Sequence, residues 1–303
     1  MQVGPEQPVK RVLLRASILN VCGPLPSCSY ETIRIYHRSF HVNGRFLLPV
    51  TGVIVAVVVT TALDASGRTA FSALPLLPLT GALWCVERVS RRDVGLVWGR
   101  ARDYGLAALY PALVLGSVFL IAVVFGGAHA DAASWGKAAT RFAIVAVGTF
   151  IGALLTEEAF FRGWLWASLR RRGLGPGKVL LWTSAAFALW HLSYATLAEG
   201  YTLPPLGVLV FILNAAVLGA IWGCMRSMSG SIVVSSVSHA LWNGGAYAFF
   251  GEGPTAGVLG LPNTIVFGPE IGIVGLAANV LFLAAIHRAS GNFLRTPVSP
   301  RDP

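Results

Sequence analysis

Charged residues are scarce in this sequence. Only 12% of its 303 residues are charged, whereas 55% are hydrophobic, and a soluble domain usually carries about 25% charged residues. This scarcity argues against an ordinary soluble domain and favours a multi-pass membrane protein. No internal repeat and no low-complexity segment divides the chain, so a single membrane domain is expected.

The usual zinc-binding patterns are also missing. The four cysteines form no CxxC pair, do not combine with nearby histidines as in a zinc ribbon, and are interpreted as structural: Cys22, Cys28, Cys85 and Cys224. The chain has no HExxH motif either. A zinc ribbon and an HExxH-type metalloprotease are therefore excluded.

The net charge of +10 does not indicate a nucleic-acid partner. Its basic residues lie between long apolar runs rather than along one amphipathic face. Such a distribution is typical of a multi-pass membrane protein, in which Lys and Arg on the cytoplasmic loops set the orientation of the chain in the bilayer.

Apolar runs long enough to cross a hydrocarbon core of about 30 Å predict an all-α bundle of about eight transmembrane helices. The runs are Phe46–Leu63, Phe71–Val86, Tyr104–Phe125, Ala138–Trp166, Val179–Tyr194, Leu206–Met225, Ser231–Phe250 and Val266–Ile286. Pro75 and Pro78 are expected to kink the second run.

The alternation of basic loops predicts the domain organisation and the orientation of the chain. Residues 1–45 are predicted to form a basic cytoplasmic tail, 46–287 the transmembrane domain, and 288–303 a second cytoplasmic tail. The protein is therefore expected in a membrane with both termini on the cytoplasmic side. The composition, rich in Ala, Val, Gly and Arg, suggests a GC-rich bacterium, so we expect the inner (plasma) membrane.

Few ionisable side chains fall inside the predicted spans, and each is costly there unless it is paired or faces water. Glu158 and Arg162 are four residues apart and share a helix face, so they can pair. That pair leaves Glu157, about 100° round the helix, free to act as a base. His239 and Asn243 are also four apart and can point into one cavity.

The depth of these side chains is a second indication, because each residue of a helix adds about 1.5 Å of rise. Glu158 and His191 lie roughly 18 to 20 Å from the basic residues that anchor their helices at the cytoplasmic side, and His239 lies roughly 15 Å past the short loop near Ser229. This depth requires the fourth helix to continue to about Leu169, long and tilted or bent. Three helices are thus expected to place polar side chains at one level.

Three motifs in chain order carry a resemblance to a known family. Glu157-Glu158-Ala-Phe-Phe-Arg162 matches EExxxR, Phe187-Ala-Leu-Trp-His191 matches FxxxH, and His239-Ala-Leu-Trp-Asn243 matches HxxxN. In these motifs the chain resembles the CAAX prenyl endopeptidase and bacteriocin-processing family of intramembrane proteases. The resemblance covers about residues 88–250.

The resemblance implies an endopeptidase that cleaves a membrane-embedded or lipid-modified substrate. Glu157 and His191 would activate a water for attack on the carbonyl carbon, and His239 and Asn243 would donate hydrogen bonds to the oxyanion. Glu158 and Arg162 would lock the helix that carries Glu157.

The sequence alone does not decide whether a metal is used, and it is compatible with two other functions. The family has been interpreted as glutamate-type and as metallo; no cofactor is the preferred expectation, and zinc bound by Glu157, His191 and His239 is the alternative. A non-proteolytic scaffold or immunity protein would keep the same motifs. A proton-coupled transporter would distribute such groups along the transport axis rather than at one depth.

Overall fold

The computed structural model describes residues 44–126, 128, 134–201, 203–252, 257–261 and 263–290, with residues 289 and 290 described by their backbone alone. The chain divides into two units, Met1–Gly44 and Arg45–Pro303, and the helices from Leu47 onward belong to the second. The predicted tails lie almost wholly outside the described residues, as do Cys22 and Cys28.

Every regular element in the described ranges is a helix. The α-helices are α1 Leu47–Ala65, α2 Leu76–Glu87, α3 Arg91–Val94, α4 Ala101–Gly126, α5 Trp135–Leu155, α6 Trp166–Arg171, α7 Pro176–Trp190, α8 Leu192–Leu197, α9 Pro205–Ser229, α10 Ile232–Gly245, α11 Thr264–Phe267 and α12 Ile273–Ser290. A 3₁₀ turn spans Thr69–Phe71, and π-helical segments span Glu158–Leu165 and Ala246–Phe250. The protein is an all-α polytopic membrane protein.

Five helical stretches in the described part of the chain are long and apolar enough to cross a membrane. They are Leu47–Ala65, Thr69–Glu87, Ala101–Gly126, Trp135–Arg171 and Pro205–Ser229. The three other predicted spans fall on the shorter α7, on α10 with its π-helical continuation, and on α12. The count of eight spans therefore stays a prediction.

The outer surface of the bundle is apolar. Large apolar side chains such as Leu120 and Leu281 are 62% and 72% exposed. Soluble proteins rarely expose large apolar surfaces of this kind to water. Lipid tails are the medium in which this surface is stable.

The two prolines of the second run begin a helix rather than kink one. Pro75 is the N-cap of α2, and Pro78 lies in its first turn. The first turn has no intrahelical partner for its N–H groups, so proline costs nothing there. The expected kink is replaced by the 3₁₀ turn and a late helix start.

Small residues let α9 and α7 approach closely. A Cβ on Gly219 would lie 3.1 Å from the Cα of Ser184, and one on Gly223 would overlap Leu180. Gly219 and Gly223 are four apart, the small-residue spacing that brings membrane helices together. The contact places α9 beside α7, whose C-cap residue is His191.

Arg226 fixes α9 to the loop before α4. The pattern of basic loops predicts a cytoplasmic loop position for it, but its side chain is buried and donates to the carbonyl oxygens of Arg162, at 3.2 Å, and Asp93, at 2.8 Å. The N–H of Ile232 donates to the carbonyl of Gly95 at 2.9 Å. These bonds join α9, α10 and the π-helical segment at the arginine-rich end of the bundle.

The π-helical segment requires glycine at position 163. A Cβ on Gly163 would lie 2.9 Å from Cγ1 of the fully buried Val94, whereas one on Gly148 in α5 would meet open space. Gly163→Ala is expected to destabilise the protein by about 1–3 kcal/mol through overpacking, and Gly148→Ala should be neutral or slightly stabilising. Thermal unfolding of both variants in detergent measures the difference; equal melting temperatures would contradict this packing.

Candidate functional site

The fourth predicted span is broken where its two glutamates lie. α5 ends at Leu155, and Thr156 leaves helical geometry with φ −114° and ψ −85°. The hydroxyl of Thr156 donates to the carbonyl of Gly152 at 2.7 Å, and the π-helical segment begins at Glu158. The helical course continues to Arg171, as predicted. Glu157 and Glu158 lie where the wider π turn begins, and such π turns are common at functional sites.

Glu158 is fully buried, and both of its carboxylate oxygens have partners. Oε1 lies 3.2 Å from Nδ1 of His239 and 3.3 Å from Nη1 of Arg162. Oε2 accepts a hydrogen bond of 2.7 Å from the hydroxyl of Ser235. With both oxygens occupied, Glu158 connects the π-helical segment to α10 and has no free oxygen for a substrate.

Arg162 is held by aromatic faces as well as by Glu158. Its guanidinium carbon lies 4.0 Å from the ring centroid of Phe187 and 5.4 Å from that of Trp222. A buried cation gains most from such faces when it is desolvated. The Phe of the FxxxH motif thus contacts the Arg of the EExxxR motif.

Glu157 is placed differently from its neighbour. Its Oε2 is buried and has no hydrogen-bond partner among the described residues, and it lies 4.0 Å from Nε2 of His239. The side chain lines a cavity inside the bundle. Glu157 therefore has a carboxylate oxygen available for a molecule in that cavity.

Hydrogen bonds fix the ring orientation of both histidines. Nδ1 of His191 lies 2.9 Å from the carbonyl oxygen of Phe187, which can only accept, so Nδ1 carries the hydrogen. Nδ1 of His239 donates in the same way to the Glu158 carboxylate, and its ring stacks on Trp222 with centroids 3.9 Å apart. The Nε2 of each neutral ring is then an acceptor.

The cavity measures about 260 Å³ and brings four of the six predicted residues together. Glu157, His191, His239 and Asn243 line it, while Glu158 and Arg162 lie behind them. Asn243 follows His239 by one helical turn, as its spacing predicted. Side chains that helical rise places at one depth therefore meet in the fold.

Several other residues of the site were not identified from the sequence, among them Ser235 and Trp222. Ser235 precedes His239 by four residues, and Trp222 follows Asn214 by eight on the cavity side of α9; helical spacing could have found both. Asn214 lines the cavity and also bonds Asn279, through which it connects to Tyr110. Three acidic residues also line the cavity: Asp64, Glu252 and Glu270.

The proposed zinc ligands do not fit a metal ion as they are arranged. In the part of the chain that the structure describes, no group of three His, Cys, Asp or Glu side chains has metal-binding spacing. The 4.0 Å between Glu157 Oε2 and His239 Nε2 exceeds the separation of about 3.4 Å that two ligands have around tetrahedral zinc. We therefore derive no step through a metal.

The fold and the site define an integral membrane protein with a buried carboxylate–histidine centre. Residues 138–245 match the family of type II CAAX prenyl endopeptidase Rce1-like proteins. This segment contains all three motifs, and the match supports a CAAX-type intramembrane protease. No individual curated protein matches the chain significantly.

Proposed function

We propose that the protein hydrolyses a peptide bond of a membrane-embedded or lipid-modified substrate with a water activated by Glu157. The observation that carries the proposal is the buried Oε2 of Glu157, which has no hydrogen-bond partner in the described chain and faces the cavity 4.0 Å from His239. A general base needs a free oxygen within reach of the proton that it removes.

The attacking water lies between Glu157 and His191 in this mechanism. Nε2 of His191 accepts one hydrogen bond from the water, because Nδ1 is committed to the Phe187 carbonyl. Glu157 accepts the proton as the water oxygen bonds to the carbonyl carbon. The same proton then passes to the leaving nitrogen when the tetrahedral intermediate breaks down, so Glu157 returns to its charged form.

Asn243 and His239 stabilise the oxyanion. The Asn243 amide is a donor in either protonation state of the site, whereas Nε2 of His239 donates only when the ring is an imidazolium, because Nδ1 is bonded to Glu158. Glu157, Glu158, Arg162 and the imidazolium together carry no net charge, which suits a site inside a membrane. Each oxyanion donor is usually worth about 100-fold to 1,000-fold in rate.

Cleavage of a quenched library of membrane peptides by the purified protein in detergent tests the proposal. Wild type should cleave at least one peptide, and His191→Ala should lower the rate by about 100-fold or more. His287→Ala, the same substitution in the last turn of α12, should leave the rate unchanged. A folded wild-type protein that cleaves no peptide would instead favour a non-proteolytic scaffold.

The same assay separates this mechanism from nucleophilic and metal mechanisms. Cys224 is buried, and among the described residues that line the cavity there is one serine, Ser72, and no cysteine. Serine and cysteine reagents and a chelator are therefore expected to have no effect. Inhibition by the chelator that added zinc reverses would assign Glu157, His191 and His239 as metal ligands instead.

We further propose that the protein resides in a bacterial inner membrane with both termini cytoplasmic. The arginine-rich loops between α2 and α4 and between α6 and α7 support this orientation. Cysteine labelling with a membrane-impermeant reagent at positions in these loops tests it, because labelling of intact cells would reverse the orientation.

A further inference from the structure

The cavity is lined by carboxylates other than that of the proposed catalytic Glu157. Three such side chains are here together called the acidic end: Asp64, Glu252 and Glu270. The proposed hydrolysis of a peptide bond uses none of these side chains. Carboxylates that line a cavity of a membrane protein are costly unless they face water or a cation.

Asp64 is buried without full compensation. It is 1% exposed, and although its Oδ2 accepts a hydrogen bond of 2.7 Å from Ser193, its Oδ1 has no partner among the described residues. The residue lies in the last turn of α1, where the negative end of the helix dipole opposes a carboxylate. An unpartnered buried oxygen in this place is suited to a positively charged donor.

The two glutamates lack strong cationic partners as well. Glu252 lies 3.4 Å from Arg141, but the two side chains are 47% and 52% exposed, and such a surface pair is weak. Glu270 accepts a hydrogen bond of 3.3 Å from the indole of Trp242. No lysine or arginine is among the described residues that line the cavity.

The arrangement of these carboxylates favours a peptide over a metal ion. No group of three acidic or histidine side chains in the described chain is close enough to hold one ion. They line the same cavity as Glu157. A chain that enters this cavity with its scissile bond at Glu157 would place neighbouring residues against the acidic end.

The acidic end lies at the opposite helix ends from the arginine-rich loops. Asp64 is in the last turn of α1, whereas Arg45, just before the start of that helix, accepts a hydrogen bond at its carbonyl from Arg172. With the arginine-rich loops on the cytoplasmic side, as proposed, the acidic end faces the other side of the membrane.

We propose that the acidic end binds a lysine or arginine side chain of the substrate and so selects peptides with a basic residue beside the membrane-embedded segment. The inference rests on the proposed function for its role in cleavage, but binding can be measured separately. Charge-assisted hydrogen bonds to Asp64 Oδ1 and to the two glutamates provide the recognition.

A pair of fluorescent peptides tests the proposal on the full-length purified protein in detergent. Both contain about 20 Ala and Leu residues and differ only at one end, which carries two lysines or two glutamines. Anisotropy titration should give wild type about tenfold higher affinity for the lysine peptide. Asp64→Asn and Glu270→Gln should bring the two affinities close together, and Glu199→Gln, at an exposed loop position outside the cavity lining, should keep the preference.

Glu252→Gln guards against variants that fail to fold, because Glu252 is exposed at the rim of the cavity. It should reduce the preference by about half or more. Equal affinity of wild type for both peptides, or an undiminished preference in all three variants, would overturn the inference. Lysine preference without cleavage of any peptide would support the inference and contradict the proposed hydrolysis. Cleavage without lysine preference would support the proposed hydrolysis and contradict the inference.

Discussion

Replacing Glu157 with glutamine is expected to lower the rate of peptide hydrolysis by about 1,000-fold or more, with little change in stability. Glutamine has nearly the same shape as glutamate but cannot accept the proton of the attacking water. Glu157 Oε2 has no hydrogen-bond partner in the described chain to lose, so we expect the change in stability to be small. Hydrolysis of a cleavable membrane peptide and thermal unfolding of the same sample measure both effects.

Glu199→Gln is the matched control for this variant, because Glu199 is an exposed glutamate in a loop. It should keep the wild-type rate. If Glu157→Gln retained more than about a tenth of the wild-type rate while folded, Glu157 would not be the base.

Replacing the neighbouring Glu158 with glutamine is expected, in contrast, to lower the stability of the protein strongly. Glu158→Gln removes the charge that Arg162 pairs with at 3.3 Å in a fully buried site, and breaking a buried pair from one side typically costs about 3–5 kcal/mol. The guanidinium would be left with the faces of Phe187 and Trp222 and the charge of Glu157. Thermal or denaturant unfolding in detergent measures the loss.

Replacing both members of the pair distinguishes charge from shape. Glu158→Gln combined with Arg162→Met leaves no uncompensated charge and should recover part of the lost stability. A Glu158→Gln protein as stable as Glu157→Gln would show that the Glu158–Arg162 ion pair does not stabilise the fold.

Much of the site could be predicted from helical spacing. The EExxxR, FxxxH and HxxxN residues recur at four-residue intervals in apolar runs, and in a membrane such residues have few places to go except inward. The paired role of Glu158 and Arg162 and the freedom of Glu157 both follow from the 100° between neighbouring helix positions. The helix assignments followed from apolar length alone.

Other features depended on tertiary contacts that no local pattern shows. The break at Thr156 and the π-helical segment depend on close packing at Gly163 and on the bond from Arg226 to the carbonyl of Arg162. Asp64 follows the first apolar run, where a carboxylate is typical of a solvated helix end. Only the packing of Ser193 against it reveals that it is buried.

Product analysis by mass spectrometry in water enriched in ¹⁸O tests the central claim most directly. Wild type should produce two fragments from one membrane peptide, with one ¹⁸O in the new carboxylate, and folded Glu157→Gln should produce neither in the same time. Labelled fragments formed by Glu157→Gln at the wild-type rate would contradict the claim that Glu157 activates the water.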